Sequence, residues 1–431
     1  MSSEENTSSV SSDSNEPELP LSTLLPTSTG HIVSSRGLLE RIIDQFRSEF
    51  DDSRVMSASP TERRTMVRDV AQYVINVENV VLAMSEQAQL IQQASSELFG
   101  FGELDALLQD DTVTTIVIDG VEGIAVRRGP GGELESLPTV FDDHRHLTRI
   151  VDRLLLAAGV QPGQQMPIIE TGLVLYGRRA GLNVAVPPFV PQIRVDIRLH
   201  GREARTLEDW LRGGIISEPA ARLIEALADS PHGIMIVGDT ESGKTTLLNI
   251  LCQRLTSAWA VVERAPEMHL NPSVPRLTVS HSSASETGYT LAQRVEEALA
   301  MNLETLLLDE VRADEPEAVA PLLLGSAPRL LWTFRGTSEA KRIKAALTIL
   351  VQRAIGSQSE EALQALAERL PFVILLKRRR GGLRVVEIAE WQQEAGQTAL
   401  VGLMRLSETA HVPTGHLPQR ALDLPTSFWR A

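Results

Sequence analysis

A phosphate-binding pattern, G-x-x-x-x-G-K-[ST], is met by Gly238-Asp239-Thr240-Glu241-Ser242-Gly243-Lys244-Thr245. The apolar run at 233–237 predicts a buried strand before this stretch, and the apolar spacing over 245–255 predicts a helix behind it. A glycine-rich loop between a strand and a helix start presents backbone N–H groups to phosphates. We therefore predict a P-loop within an α/β fold that is built on a parallel sheet.

The side chains of this loop predict the ligands of a nucleotide and of its metal. In such loops the lysine reaches the β- and γ-phosphates and the next hydroxyl contacts Mg²⁺, which assigns Lys244 and Thr245. The predicted nucleotide-binding residues are Gly238, Thr240, Ser242, Gly243, Lys244, Thr245 and Thr246. Asp239 and Glu241 are acidic, and carboxylates beside a polyphosphate are electrostatically unfavourable. The loop thus predicts ATP and Mg²⁺ as cofactors and leaves turnover open.

Two further apolar runs end in acids. The run at 306–310 ends in Asp309 and Glu310, the form of a strand that delivers carboxylates to Mg²⁺ and to the attacking water. We predict Asp309 and Glu310 as metal ligands and Glu310 as a catalytic residue. The run at 261–263 ends in Glu263, which is a candidate general base if its strand neighbours the P-loop strand. The alternative interpretation of Glu263 is a surface acid that closes a strand.

Composition bounds the class of protein. The chain has 431 residues and a formal net charge of −15, and this charge argues against a protein that binds nucleic-acid phosphates. Its single cysteine, Cys252, excludes an internal disulfide and fits a reducing compartment. No apolar run reaches the roughly 18 residues of a membrane span. We expect a cytoplasmic protein.

Changes in composition and periodicity along the chain predict five segments. They are an acidic, serine-rich and disordered tail at 1–34, a helical segment at 35–98, an α/β N-terminal domain at 99–200, a RecA-like P-loop ATPase domain at 201–400 and a C-terminal tail at 401–431.

Several motifs in one order carry a family resemblance. They are the P-loop, an acidic box at 263–270, the strand and turn at 308–312, a degenerate box at 332–338 and two upstream stretches at 101–108 and 182–188. Together they resemble the secretion-type traffic ATPases of type II and type IV systems, most closely the CpaF-like branch of Tad/Flp pilus assembly, over residues 36–400. The resemblance implies a hexameric ring with ATP held between the domains of neighbouring subunits. It also implies a position beside the inner membrane, reached through platform proteins.

The chain departs from the family pattern at the nucleotide site. Asp239 and Glu241 stand where the family usually has glycine, and Arg264 stands where the acidic box has aspartate. A histidine of the degenerate box corresponds to Arg335, which could itself offer a cation to the γ-phosphate. Two arginines that would meet phosphate correspond to glycines, Gly172 and Gly181. The resemblance leaves two possible phosphate contacts in this region, Arg194 and Arg198.

These departures leave two functions in play. The first is a hexameric motor that hydrolyses Mg-ATP to drive pilus assembly or protein secretion. The second is a hydrolysis-deficient, nucleotide-binding paralogue that acts as a structural or regulatory subunit of the same machinery. The expected partners are other copies of the chain or an intact paralogous ATPase, together with inner-membrane platform proteins. A nucleic-acid motor is disfavoured because the sequence shows no basic groove with interleaved aromatic residues.

Overall fold

A computed structural model describes residues 24–26, 32–129, 132–138, 141–161, 167–280, 288–325, 328–336, 339–357, 359–379, 382–394 and 396–430. Most of the predicted disordered tail therefore lies outside the described residues, as do positions 337–338 of the degenerate box. The chain divides into two compact units, Met1–Ala106 and Leu107–Ala431.

The first unit is mainly helical. Its elements are β1 (Leu24–Pro26), β2 (Ile32–Ser34), α1 (Ser35–Glu49), α2 (Asp52–Ser57), α3 (Pro60–Val77) and α4 (Met84–Phe99). Helix α3 begins with a capping box in which Ser59 and Glu62 satisfy each other's backbone N–H groups, and with a proline in its first turn. Apolar residues of α1, such as Ile42 and Phe46, are buried with those of α3 and α4 in one core. Helix α5 (Leu104–Gln109) spans the division between the units.

The second unit begins with a small antiparallel sheet. Its elements are β3 (Val113–Asp119), β4 (Gly123–Arg128), β5 (Leu134–Leu137), α6 (His144–Ala157), β6 (Ile168–Leu175), β7 (Arg178–Ala185) and β8 (Arg194–Leu199). Over the described residues the strand order is β5-β4-β3-β8-β7-β6. In this register Gly172 of β6 lies directly opposite Gly181 of β7. The pair leaves a patch without side chains on one face of the sheet.

The rest of the second unit is organised by a larger sheet. Its helices are α7 (Leu207–Arg212), α8 (Glu218–Asp229), α9 (Lys244–Cys252), α10 (Leu291–Leu299), α11 (Pro316–Leu324), α12 (Ala340–Ile355) and α13 (Ser359–Arg369). Its strands are β9 (Ile234–Gly238), β10 (Trp259–Glu263), β11 (Arg276–Thr278), β12 (Thr305–Val311), β13 (Arg329–Arg335), β14 (Phe372–Arg379), β15 (Gly382–Glu394), β16 (Gln397–Ser407) and β17 (Ala410–Pro413). The described strands lie in the order β11-β10-β12-β13-β9-β14-β15-β16-β17.

The parallel part of this sheet sets the position of the site. In the spatial order β11-β10-β12-β13-β9-β14, each strand runs parallel to its neighbour. Strands β15, β16 and β17 extend the sheet beyond β14 with antiparallel pairing. Strand β9 is buried on both faces: Met235 and Val237 join one core, and Ile234 and Ile236 join the other. Strand β13 lies between β9 and β12, so the ends of all three strands meet at one edge of the sheet. This topology confirms the predicted fold class, a RecA-like P-loop ATPase domain preceded by a smaller α/β layer.

The C-terminal residues require a correction. The predicted domain end at residue 400 falls inside β16, and β17 continues the sheet beyond it. Trp429 is buried in the core on one face of the sheet, so residues 401–431 include packed structure. Strand β16 joins the sheet by pairing with β15, and a register irregularity between Ile388 and Ala389 interrupts that pairing. No described helix is long and apolar enough to cross a membrane.

Candidate nucleotide-binding site

The loop between β9 and α9 is folded tightly around two of its glycines. Gly243 has φ +81°, and a Cβ atom there would lie 2.5 Å from Leu383 Cδ2, so only glycine fits without displacing that side chain. A Cβ atom on Gly238 would lie 2.3 Å from Ser242 Oγ. That oxygen is buried and has no hydrogen-bond partner among the described residues. A buried donor without a partner at a helix start is suited to an anionic ligand.

A cavity of about 210 Å³ opens beside this loop. Five of the seven predicted nucleotide-binding residues line the cavity, namely Ser242, Gly243, Lys244, Thr245 and Thr246. Gly238 and Thr240 lie at the start of the loop and are not part of the lining.

The lining carries charges of both signs in equal number. Its acids are Glu170, Glu241, Glu267, Asp309 and Glu310. Its basic residues are Arg198, His200, Lys244, Arg264 and Arg378. The cavity lining is therefore nearly neutral overall. The binding of a polyphosphate would depend on where individual hydrogen-bond donors lie and not on the net charge.

Lys244 is held in the position that the P-loop pattern predicts. Its side chain is buried, and Nζ donates a hydrogen bond to the carbonyl oxygen of Asp239 at 3.0 Å. The same Nζ lies 4.0 Å from Glu310 Oε2. Burial lowers the pKa of Lys244, while the nearby carboxylates of Glu310 and Asp309 oppose that shift. A buried ammonium with so few partners is a strong site for a phosphate oxygen.

Of the three predicted metal ligands, Thr245 and Asp309 are hydrogen-bonded to each other, whereas Glu310 lies beside Lys244, Arg312 and Arg335. Thr245 Oγ1 donates to the Asp309 carboxylate, 2.8 Å from Oδ2, and Thr333 Oγ1 donates to Oδ1 at 2.5 Å. Burial raises the pKa of Asp309 to about 6, although both hydrogen bonds favour the charged form. One hydroxyl and one carboxylate fit Mg²⁺, which takes one or two protein ligands and completes its shell with phosphates and water. The described residues hold no cluster of three or more His, Cys, Asp or Glu side chains that would form an all-protein metal site.

Glu310 has a strained backbone and is surrounded by cations. Its φ is +91°, which costs on the order of 1–3 kcal/mol for a residue with a side chain. Arg264 Nε donates to the Glu310 carbonyl oxygen at 3.2 Å, and this bond stabilises the strained turn. Glu310 Oε1 lies 3.6 Å from Arg312 Nε and 4.0 Å from Arg335 Nη1. With Lys244 on the other side, the carboxylate lies within 4.0 Å of three cations.

Glu263 does not reach the cavity. The prediction placed it at the sheet edge as a general base, but its side chain is fully buried beside Asp309 on the neighbouring strand. Burial raises the pKa of Glu263 to about 8, and Arg276, whose Nε lies 2.7 Å from Oε1, offsets only part of that shift. The carboxyl group is enclosed, is paired with Arg276 and lies outside the cavity lining, so it cannot reach water in the cavity. The structure therefore does not place Glu263 as the general base.

The three arginines predicted to meet phosphate separate into different positions. Arg198 lines the cavity, and its guanidinium forms no hydrogen bond or ion pair within the described part of the chain. Arg194 lies on the same face of β8, but four residues along a strand span roughly 13 Å, and it pairs with Asp196 at 3.6 Å outside the lining. Arg335 is the last residue of β13 and is about half exposed beside Glu310. The geometry thus favours Arg198 over Arg194 as a phosphate contact.

Two pairs of residues in the site were not predicted. His200 Nε2 lies 3.1 Å from Glu267 Oε2, and the pair lies in the wall of the cavity. Burial lowers the pKa of His200, but Glu267 outweighs it and raises the pKa overall. The carboxylate of Glu241 pairs with Arg127 and accepts a hydrogen bond from Thr115 Oγ1 at 3.0 Å. The partners in each pair lie far apart in sequence, so no local pattern could have joined them.

Gly172 and Gly181 are required by the close approach of the segment 265–267. A Cβ atom on Gly172 would lie 2.3 Å from Pro266 Cδ and 2.9 Å from Pro266 N, and one on Gly181 would lie 2.1 Å from Glu267 Oε1. Arg179 Nη1 donates to the Pro266 carbonyl oxygen at 3.0 Å and holds the segment against the small sheet. Arginines at these two positions would not fit this packing.

Comparisons with known proteins show a likeness to conjugal transfer proteins. A putative conjugal transfer protein of Mycobacterium tuberculosis (strain H37Rv) is 26% identical over 322 residues, which is 71% of this chain and 88% of the relative. The probable conjugal transfer protein TrbB of Sinorhizobium fredii is 29% identical over 174 residues, 39% of this chain and 48% of the relative. No protein family model matches the chain.

A solved structure of the Legionella pneumophila ATPase DotB covers 67% of this chain and 79% of its own, with 16% identity and a TM-score of 0.45. The two relatives are described as conjugal transfer proteins in general, and neither description specifies the Tad/Flp branch.

We predict that Gly172→Ala destabilises the second unit. The new methyl group would overlap Pro266, whose backbone nitrogen cannot move without shifting the segment 265–267, and such overpacking costs about 1–3 kcal/mol. The measurement is the free energy of unfolding in urea. Gly201→Ala is the matched control, because its nearest atom lies at an ordinary 3.5 Å and its φ is not positive. Equal stability of the two variants would contradict the packing described for Gly172.

We predict that Glu263→Gln makes the fold less sensitive to alkaline pH. Because the pKa of Glu263 is raised from 4.5 to about 8, the folded state binds the extra proton, and Glu263 destabilises the fold progressively as pH rises through this window. Glutamine stays neutral, so its advantage over the wild type should grow from pH 5 to pH 8, with an upper bound of roughly 5 kcal/mol. Urea unfolding at both pH values measures the change.

The control for this prediction is Glu267→Gln. Burial would raise the pKa of Glu267, but His200 outweighs it and lowers the pKa below 4.5. That carboxylate stabilises the fold above its unfolded pKa, so its removal should cost stability at pH 8 instead of adding it. If both substitutions changed the free energy of unfolding at pH 8 with the same sign, the charge states assigned to Glu263 and Glu267 would be refuted.

Proposed function

We propose that the chain binds Mg-ATP in the cavity beside the P-loop and acts as a nucleotide-dependent subunit of a secretion-type or conjugal transfer machine. Lys244 and Arg198 bind the phosphates with the backbone N–H groups of the loop. Thr245 and Asp309 hold Mg²⁺, which when bound would neutralise charge on the phosphate oxygens. The machine class rests on the motif order in the sequence and on the names of the conjugal transfer relatives.

One observation carries the proposal of nucleotide binding. The buried Nζ of Lys244, the Thr245–Asp309 pair and the guanidinium of Arg198 face one cavity, although they come from three separate parts of the chain. Each group is of the chemical type that a phosphate or Mg²⁺ requires. The internal pairing of the cavity acids supports the same conclusion, because Glu170 is bound by Arg312 and Glu241 by Arg127.

Slow turnover is the second part of the proposal, and the position of Glu310 favours it. A general base needs an available lone pair and a pKa close to the operating pH. Glu310 lines the cavity, but Lys244, Arg312 and Arg335 lie within 4.0 Å of its carboxylate and engage its lone pairs. Glu263 is fully buried and lies outside the cavity lining. We therefore propose a subunit that binds nucleotide well and hydrolyses it slowly in isolation.

The assembly stays a proposal based on the family resemblance. A ring of six subunits, made of this chain alone or mixed with an intact paralogous ATPase, would place the nucleotide between neighbouring subunits. In the mixed ring, the intact paralogous neighbour would supply the cations that this chain lacks at Gly172 and Gly181. Inner-membrane platform proteins are the proposed membrane partners, with the chain itself on the cytoplasmic side. The Tad/Flp branch remains a prediction from the motifs.

We expect Lys244→Ala to weaken the binding of a fluorescent ADP analogue by about 100-fold in the presence of Mg²⁺, because a buried charge-assisted contact of this kind contributes roughly 2–3 kcal/mol. Titration of the wild type and the variant at one salt concentration measures the affinity. Lys341→Ala is the control, since Lys341 is an exposed lysine of α12 outside the cavity. Equal affinity of the wild type and Lys244→Ala would overturn the proposed function.

Turnover is tested separately from binding. We expect the purified wild type to release phosphate from ATP slowly, and we expect Glu310→Gln to bind nucleotide at least as tightly, because it removes one carboxylate from the phosphate end of the cavity. Phosphate release under saturating Mg-ATP is the measurement. Rapid turnover by the wild type alone would contradict the hydrolysis-deficient alternative and favour an autonomous motor.

A further inference from the structure

Glu241 occupies a backbone conformation that is unfavourable for a residue with a side chain. Its φ is +59°, in the left-handed region, which costs roughly 1–2 kcal/mol for residues other than glycine. The family that the motifs resemble usually carries glycine at this position. The position is also one where a carboxylate would repel phosphates. Both disadvantages are present in this chain, so other contacts have to compensate for them.

Those contacts come from the small sheet and from β14. Arg127 of β4 forms an ion pair with the Glu241 carboxylate, and the two side chains are 14% and 21% exposed. Thr115 of β3 donates to Glu241 Oε1 at 3.0 Å. Arg378 of β14 donates to the Glu241 carbonyl oxygen at 2.9 Å. Both the side chain and the backbone of this residue are therefore held from outside the P-loop.

The other acidic position of the loop shows no such arrangement. Asp239 is exposed, and its carbonyl oxygen accepts hydrogen bonds from Lys244 Nζ and from the backbone of Ser242. Glu241 lines the cavity, whereas Arg127 lies outside the lining. The guanidinium is thus placed behind the carboxylate, where it neutralises the acid and draws it to the edge of the phosphate site.

We propose that Arg127 is a positioning residue for the P-loop: it holds Glu241 so that a loop without glycine at this position adopts the shape that receives phosphates. The inference rests on the proposed function, because it names a residue that acts on nucleotide binding through Glu241. Thr115 supports the same carboxylate. A glycine at position 241 would adopt the left-handed conformation through its backbone freedom alone. In this chain the ion pair between Arg127 and Glu241 supports that conformation.

The test is a double-mutant cycle with a suppressor. Arg127→Ala should weaken the binding of a fluorescent ADP analogue by about 10-fold, because it leaves the Glu241 carboxylate without its partner at the cavity edge. In the Glu241→Gly background the same substitution should change the affinity by less than about 2-fold, because glycine needs no anchor and brings no charge. Arg127→Lys should restore part of the affinity in the wild-type background.

Arg128→Ala is the matched control. Arg128 is the next residue of the same strand, points to the other face and pairs with Asp110. It should leave nucleotide affinity unchanged. A loss of similar size for Arg127→Ala in both backgrounds would overturn the proposal, since Arg127 would then act on the nucleotide or on the fold directly. No loss in the wild-type background would overturn it as well.

A second measurement separates this inference from the proposed function. Amide hydrogen exchange at residues 239–243 is followed without nucleotide in the four proteins of the cycle. Arg127→Ala should speed exchange about 10-fold when Glu241 is present and should have no effect when residue 241 is glycine. If the wild type binds no nucleotide, the proposed function fails, and this exchange pattern alone decides whether Arg127 positions the loop. Unchanged exchange in Arg127→Ala would overturn the inference.

Discussion

The rest of this site depends on one constraint, which is that each buried carboxylate needs a partner that compensates its charge. Five acids line one cavity at the carboxyl edge of a parallel sheet, and an uncompensated charge in such a place costs several kcal/mol. Each acid has a defined partner: a guanidinium for Glu170 and Glu241, an imidazole for Glu267, two hydroxyls for Asp309 and a set of cations for Glu310. Because the acids are satisfied internally, the cavity can accept an anion without a positive net charge.

The same compensation extends to the backbone. Glu241 and Glu310 are non-glycine residues with positive φ, and both line the cavity. In each case an arginine donates to the carbonyl oxygen of the strained residue: Arg378 to Glu241 and Arg264 to Glu310. Strain of this kind persists only when surrounding contacts over-determine the conformation. Arg264 thus has a structural role, because it supplies the donor that the turn at Glu310 uses.

The sequence predicted the features that depend on residues close together in the chain, and it missed the contacts between residues that are far apart in the chain. The strand, loop and helix around Lys244 and the acids after β12 follow from continuous patterns, and the structure brings Thr245 and Asp309 together as expected. The partnership of Arg127 with Glu241 joins residues 114 positions apart and depends on how the small sheet packs, which no local pattern encodes. Glu263 shows a second limit. A pattern can place an acid at a strand end, but side-chain direction and burial decide whether it faces the cavity.

A neutral cavity places a particular demand on the P-loop. With no excess positive charge to attract phosphates, affinity has to come from donors at fixed positions, which are the backbone N–H groups, Lys244 Nζ and the Arg198 guanidinium. Such donors lose much of their effect when the loop shifts by about an ångström. The glycine pair Gly172 and Gly181 lets the segment 265–267 approach the small sheet, and that sheet carries Arg127 and Thr115 to Glu241. Glu241, Gly172 and Gly181 are therefore linked through the small sheet, which packs against the segment 265–267 and also holds the P-loop at Glu241.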